Sequence, residues 1–96
     1  MNPPGNPITV RHNPAGHRFE AEVDGLLSVA DYELRGTDLV MTHTLVPAQL
    51  RGRGIAEKLV RAALEHARSE RLRVVPACSY VGGFIERHPE FRPLLG

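Results

Sequence analysis

The sequence predicts a small α/β (α+β) domain: a mixed, mostly antiparallel sheet with one β-α-β crossover and helices packed on it. Three observations point there. Residues 8–46 largely alternate apolar and polar side chains between Gly- and Asn-marked turns, which is the period of half-buried strands. Residues 54–68 change to the 3.6-residue period of an amphipathic helix. LRVVPA (72–77) then reads as a short buried strand, with Pro76 near its end.

Taken in order, ITVRHN (8–13) reads as a strand and NPAG (13–16) as a turn. HRFEAEV (17–23) puts Phe19, Ala21 and Val23 on one face and Arg18, Glu20 and Glu22 on the other. Asp24-Gly25 supplies a hairpin turn, LLSVADYELR (26–35) a strand, GTD (36–38) another turn, and LVMTHTLV (39–46) a largely apolar strand, so the first half is a meander. In the helix, Ala56, Leu59, Val60, Ala63 and Ala67 share one stripe, while Glu57, Lys58, Arg61, Glu65 and Arg68 face away. Glu57 and Arg61 stand four apart with the acid first, the better orientation for a surface pair. SYVGGFIERHPEF predicts a short helix broken around Gly82-Gly83. Strand 39–46, helix 54–68 and strand 72–77 make the crossover, right-handed and leaving its strands parallel. The Pro-, Gly- and Asn-rich residues 1–7 read as a flexible N-terminal arm ahead of a single domain over 8–96.

The chain has 96 residues, the size of one compact domain. Twelve Lys and Arg against eleven Asp and Glu leave a net charge of +1, which argues against nucleic acid as a partner, because such binding needs many phosphate contacts from a strongly basic face. No apolar run approaches the roughly 20 residues that span a bilayer, and MNPPGNP lacks a signal-peptide pattern. A cytoplasmic protein without membrane contact is expected. The single cysteine, Cys78, has no cysteine partner for a disulfide or a zinc pair, and the five histidines do not pair at metal-ligand spacing, so no metal is expected.

QLRGRGIAEKLV (49–60) raises the functional question, because two glycines and two arginines meet at one strand-to-helix junction. Glycine there costs roughly 0.5–1 kcal/mol relative to alanine if helical, and a bound anion is the obvious compensation. A Walker loop is excluded, since no lysine is followed by Ser or Thr. The dinucleotide pattern GxGxxG is half present at Gly52 and Gly54, but Glu57 stands at the third glycine position and Cys78 where an acidic residue belongs. A plain solvated turn remains the structural alternative.

Arg51, Gly54 and Ala56 fit Arg-x-x-Gly-x-Ala, and Gln49, Gly52 and Gly54 fit the same consensus in another register. This resembles motif A of the GCN5-related N-acetyltransferases. HTLVPAQLRGRGIAEKLVRAALEHAR followed by VVPACSYVGGFIERHPEF is similar to the short, YjdJ-type branch of that superfamily across roughly residues 17–92, through a His-Thr strand end, an Arg-Gly-x-Gly loop and a Cys-x-Tyr segment. The resemblance implies a GNAT-like fold and acetyl-coenzyme A as co-substrate. It implies that backbone groups around Leu45 and Val46 meet the pantetheine arm and that Arg51, Gly52, Arg53, Gly54, Ile55 and Ala56 hold the pyrophosphate. It also implies acetyl transfer to an amine, small molecule or protein, by a monomer or weak homo-oligomer. The chain has little room for the elements that shape an acceptor pocket in longer members, so a non-catalytic acyl-coenzyme A-binding module working through a protein partner is the alternative.

Three residues are catalytic candidates. Cys78 ends the strand 72–77 before a helix, where a helix N-terminus lowers a thiol pKa; the resemblance puts it near the thioester, and a buried core cysteine is the other reading. Tyr80 is either the acid toward the leaving thiolate, as in several members of the superfamily, or an aromatic packing residue. His43 is the candidate base. Strict alternation with Leu39, Met41 and Leu45 instead favours a core histidine.

Overall fold

Alternation in β2 (Arg18–Val23) buries Phe19, Ala21 and Val23. Asp24 and Gly25 turn the chain with φ of 53° and 75°, the two positive values that suit a tight hairpin to the right-handed twist of its strands, and β3 (Leu26–Arg35) returns with Val23 opposite Leu26. The computed structural model describes residues 8–96, and the arm assigned to residues 1–7 lies outside the described residues. Within that span β1 (Arg11–Asn13), β2, β3, β4 (Asp38–Leu45) and β5 (Arg73–Pro76) form one sheet in chain order. The first three pairings are antiparallel and β4-β5 is parallel. The expected mixed sheet with one crossover is therefore the observed fold.

The crossover helix α1 (Ile55–Ser69) buries Ile55, Leu59, Val60, Ala63, Leu64 and Ala67 and packs mainly over β2 and β3. Its C-terminus closes through Leu72 N–H to Ala67 O (2.8 Å) and Arg71 N–H to Arg68 O (3.3 Å), with Arg71 at φ 56°. That is a Schellman closure with arginine where glycine is usual. α2 (Ser79–Arg87) runs unbroken through Gly82 and Gly83, correcting the expected break. Each glycine costs about 1 kcal/mol of helix propensity, and burial of Val81, Phe84 and Ile85 outweighs it. A 3-10 segment, Pro89–Leu95, folds Phe91 back beside Phe84, and the Arg61 guanidinium lies 5.4 Å from the Phe84 ring centre.

Two sequence expectations change at the sheet. Glu20, read on the polar face with Arg18 and Glu22, is only 5% exposed, because β1 brings Asn13 (2.9 Å) and Arg11 (2.6 Å) onto its carboxylate. Those hydrogen bonds, Asn13's first, hold its pKa below the usual carboxylate range. The predicted strand 8–13 is ordered as a strand only over Arg11–Asn13.

His12 ties β1 to the core. Its ring stacks on Phe19 at 4.2 Å, meets His66 of α1 edge-on at 4.5 Å, and places Nε2 2.7 Å from the Tyr32 hydroxyl, while His17 stacks on Tyr32 at 6.0 Å. Burial, and then the nearby His66, push the His12 pKa down. The unfolded chain therefore takes up a proton near pH 6.5 that the folded chain resists. Stability from this group is fully present above that pH and is lost as pH falls through the folded value. The urea midpoint is expected to drop between pH 7.5 and 5, and His12→Gln is expected to flatten that slope.

Candidate functional site

The parallel pairing of β4 with β5 ends at Met41 opposite Pro76, where the Cys78 amide still donates to Met41 O at 2.9 Å. Beyond it β5 has ended and β4 runs on without a ladder partner on that side, leaving a fork in the sheet. One residue on, Tyr32 faces Met41 and Asp31 faces His43, so Thr42 has no partner on β3 and forms a β-bulge. A bulge bends its strand and raises its twist. It also resets the alternation. Ala30 and Tyr32 are core residues of β3, so their partners Thr44 and Met41 point inward, whereas His43 and Leu45, opposite Asp31 and Val29, point outward.

His43 is accordingly exposed, and the core-histidine expectation is overturned. Leu45 is 49% exposed on the same outward face. Thr44, turned inward, stands 3.8 Å from the Cys78 thiol across the fork. Cys78 is half-buried, packs against the core and caps α2.

After β4 the chain makes a 3-10 turn over Ala48–Leu50, anchored by buried Leu50, and reaches the glycine-arginine loop. Gly52 and Gly54 take φ of 85° and 76°, and a Cβ at either would meet nothing within 4 Å. Their need is therefore conformational, not steric: both sit in the left-handed region, where side chains with a Cβ are strained. Gly54 caps α1 without any side-chain hydrogen bond. The first N–H groups of the helix are thus left without a capping side chain, at the positive end of the helix dipole.

A cleft of about 240 Å³ opens here, lined by Val46, Leu50, Arg51, Gly52, Gly54, Ile55, Ala56, Glu57 and Tyr80. Arg51 Nε reaches Val46 O at 3.4 Å, so its guanidinium sits at the cleft between strand end and helix start. Of the residues singled out from sequence, Val46, Arg51, Gly52, Gly54, Ile55, Ala56 and Tyr80 converge on this cleft. Leu45 and Arg53 do not line it, Cys78 stands beside the fork, and His43 lies on the outward face. Leu50 and Glu57 line it without having been singled out for it; Glu57 directly follows Ala56 in the first helical turn, the one signal available for it. Burial raises the Tyr80 pKa, opposed by Arg87 and assisted by Glu57, so its phenol stays protonated at neutral pH. Among the described residues no group of three or more His, Cys, Asp or Glu is gathered to hold a metal ion, and no helix is long and apolar enough to cross a membrane.

Comparison with known proteins fits this architecture. A family model described as GCN5-related N-acetyl-transferase matches residues 18–94. A Bos taurus protein named Protein NATD1 is 38% identical over 88 residues, covering 88% of this chain and 78% of the relative. The Homo sapiens protein of that name is 35% identical over 88 residues, with 88% and 78% covered. The NMR solution structure of a GCN5-like protein from Staphylococcus aureus superposes with a TM-score of 0.70 at 24% identity, covering 88% of this chain and 84% of that one. At that identity the likeness speaks for the fold.

Proposed function

The chain belongs to the GCN5-related N-acetyltransferase family, and from that membership we propose that it binds acetyl-coenzyme A at the start of α1 and transfers the acetyl group to an amine. One observation carries the reading: an uncapped helix N-terminus, two left-handed glycines and Arg51 converge on a cleft that also takes in Val46, just past the end of β4. Helix N–H groups and a guanidinium are strong partners for a diphosphate. Past Met41 the β5-facing edge of β4 has no ladder partner, and unpaired backbone groups there suit the amides of a pantetheine arm running by Leu45 and Val46.

In this proposal the amine nitrogen attacks the thioester carbonyl carbon and the C–S bond breaks. The departing thiolate accepts a hydrogen bond from the Tyr80 hydroxyl and takes its proton from solvent. The nitrogen gives up its proton to His43 or to water on the outward side of the fork. In the alternative two-step route the Cys78 thiolate attacks the carbonyl carbon and displaces the coenzyme thiolate, and the amine then attacks the new thioester and releases Cys78; intact mass after incubation with acetyl-coenzyme A reads that intermediate. Coenzyme binding without turnover is the second reading, favoured by the exposure of His43 and Leu45 on the outward face, where an acceptor pocket would need walls.

Thermal unfolding tests the binding. Acetyl-coenzyme A at about 100 times its Kd is expected to stabilise the fold by about 2.7 kcal/mol. Arg51→Ala is expected to weaken that Kd about 10- to 100-fold, the range of a charge-assisted hydrogen bond. No shift at millimolar coenzyme rejects the proposal. Coenzyme release with a panel of polyamine, lysine peptide and free peptide N-terminus then separates enzyme from binder.

A further inference from the structure

The second arginine of the loop is engaged elsewhere. Arg53 Nη1 lies 3.0 Å from Asp24 Oδ2, a carboxylate 29 positions upstream at the tip of the β2-β3 hairpin. Arg51, by contrast, lines the cleft. Of two neighbouring guanidinium groups, one faces the cleft and the other is paired across to the hairpin. The pairing is not buried, since the Arg53 and Asp24 side chains are 49% and 29% exposed. An exposed pair of this kind is weak, screened by salt and open to exchange. Meanwhile Gly52 and Gly54 flank Arg53 and both line the cleft, so its backbone already stands at the anion site. A diphosphate there and the Asp24 carboxylate are rival partners for one cation, and each carboxylate near the loop also repels the phosphates.

We propose that Asp24 is a positioning residue that sets coenzyme affinity, holding Arg53 off the diphosphate so that loss of its charge tightens binding. The inference rests on the coenzyme reading above. It gives the hairpin a functional link to the loop: by reciprocity, a coenzyme that draws Arg53 away loosens the hairpin tip, and a tip that holds Arg53 weakens the coenzyme.

Asp24→Asn tests this. Asparagine tolerates the φ of 53° found at this position about as well as aspartate does, so the hairpin turn survives the change. Affinities for coenzyme A and for phosphate-free pantetheine are measured by calorimetry at low and at physiological salt. D24N is expected to bind coenzyme A about 3- to 10-fold more tightly at low salt, with less gain at physiological salt. Pantetheine binding is expected to stay the same, and adding R53A to D24N is expected to remove the gain, the coupling that a double-mutant cycle isolates. Equal or weaker coenzyme A binding by D24N overturns the inference. So does a gain that pantetheine shares, which would mean that Asp24 acts by ordering the loop, or one that survives R53A, which would mean that its carboxylate repels the phosphates directly and not through Arg53. Failure of the wild-type protein to bind coenzyme A overturns the coenzyme reading and this inference with it, whereas binding indifferent to D24N overturns the inference alone.

Discussion

Replacing Tyr80 by phenylalanine is expected to lower kcat for amine-dependent coenzyme release about 100-fold, while the KM for acetyl-coenzyme A stays within about threefold. The reasoning starts from the environment of the phenol. It lines the cleft and burial raises its pKa, so at neutral pH it carries its proton. A thiol is a stronger acid than a phenol, and burial weakens the Tyr80 phenol further, so complete proton transfer from Tyr80 to the thiolate is uphill. Its contribution is a hydrogen bond that strengthens as charge develops on sulfur, which is why the expected loss falls at the low end of general-acid effects. Phenylalanine keeps the ring that Arg87 approaches at 5.9 Å, so packing is preserved and the hydroxyl alone is tested. A raised KM with kcat intact would assign Tyr80 to packing.

How far the site could be read in advance depends on how local each determinant is. The β2 alternation, the Asp24-Gly25 turn and the α1 stripe are set by neighbours within a few residues, and each stands in the structure as the pattern implied. Gly52 and Gly54 can take their positive φ because they lack a Cβ, but the residue type alone does not announce it, since Gly82 and Gly83 are helical. Three features depend on distant partners. Glu20 is covered by Arg11 and Asn13 of another strand. Arg53 is paired with Asp24, 29 positions away. His43 faces outward only because Thr42 lacks a partner on β3. Nothing in the run Thr42-His43-Thr44 announces a bulge, since register belongs to a pair of strands and not to one. Continuity of α2 through Gly82-Gly83 was hidden for a related reason: the glycines are local and unfavourable, whereas the burial of Phe84 that outweighs them is tertiary.

Deletion of Thr42 is expected to leave a folded protein whose affinity for acetyl-coenzyme A falls at least about 100-fold, roughly 2.7 kcal/mol. On one side of the bulge the β3-β4 ladder runs from Arg35 opposite Asp38 to Tyr32 opposite Met41; on the other it runs from Asp31 opposite His43 to Val29 opposite Leu45. Thr42 is the residue left over. Without it Met41 and His43 become neighbours facing Tyr32 and Asp31, which are neighbours already, so the ladder closes in register. Every side chain keeps its face: Leu39, Met41 and Thr44 inward, His43 and Leu45 outward. The fold is thus expected to survive, with a stability change within the roughly 0.5–3 kcal/mol range of ordinary mutations. What the deletion removes is the bend. A straighter β4 runs closer to Ala77 and Cys78, which follow β5, and narrows the fork, taking from the pantetheine arm the unpaired edge it would occupy. Circular dichroism and urea unfolding check the first half of this expectation, and calorimetry with acetyl-coenzyme A the second. Undiminished binding would mean that the fork opens for a reason other than the bulge; an unfolded chain would mean that the two ladder segments do not join as their register implies.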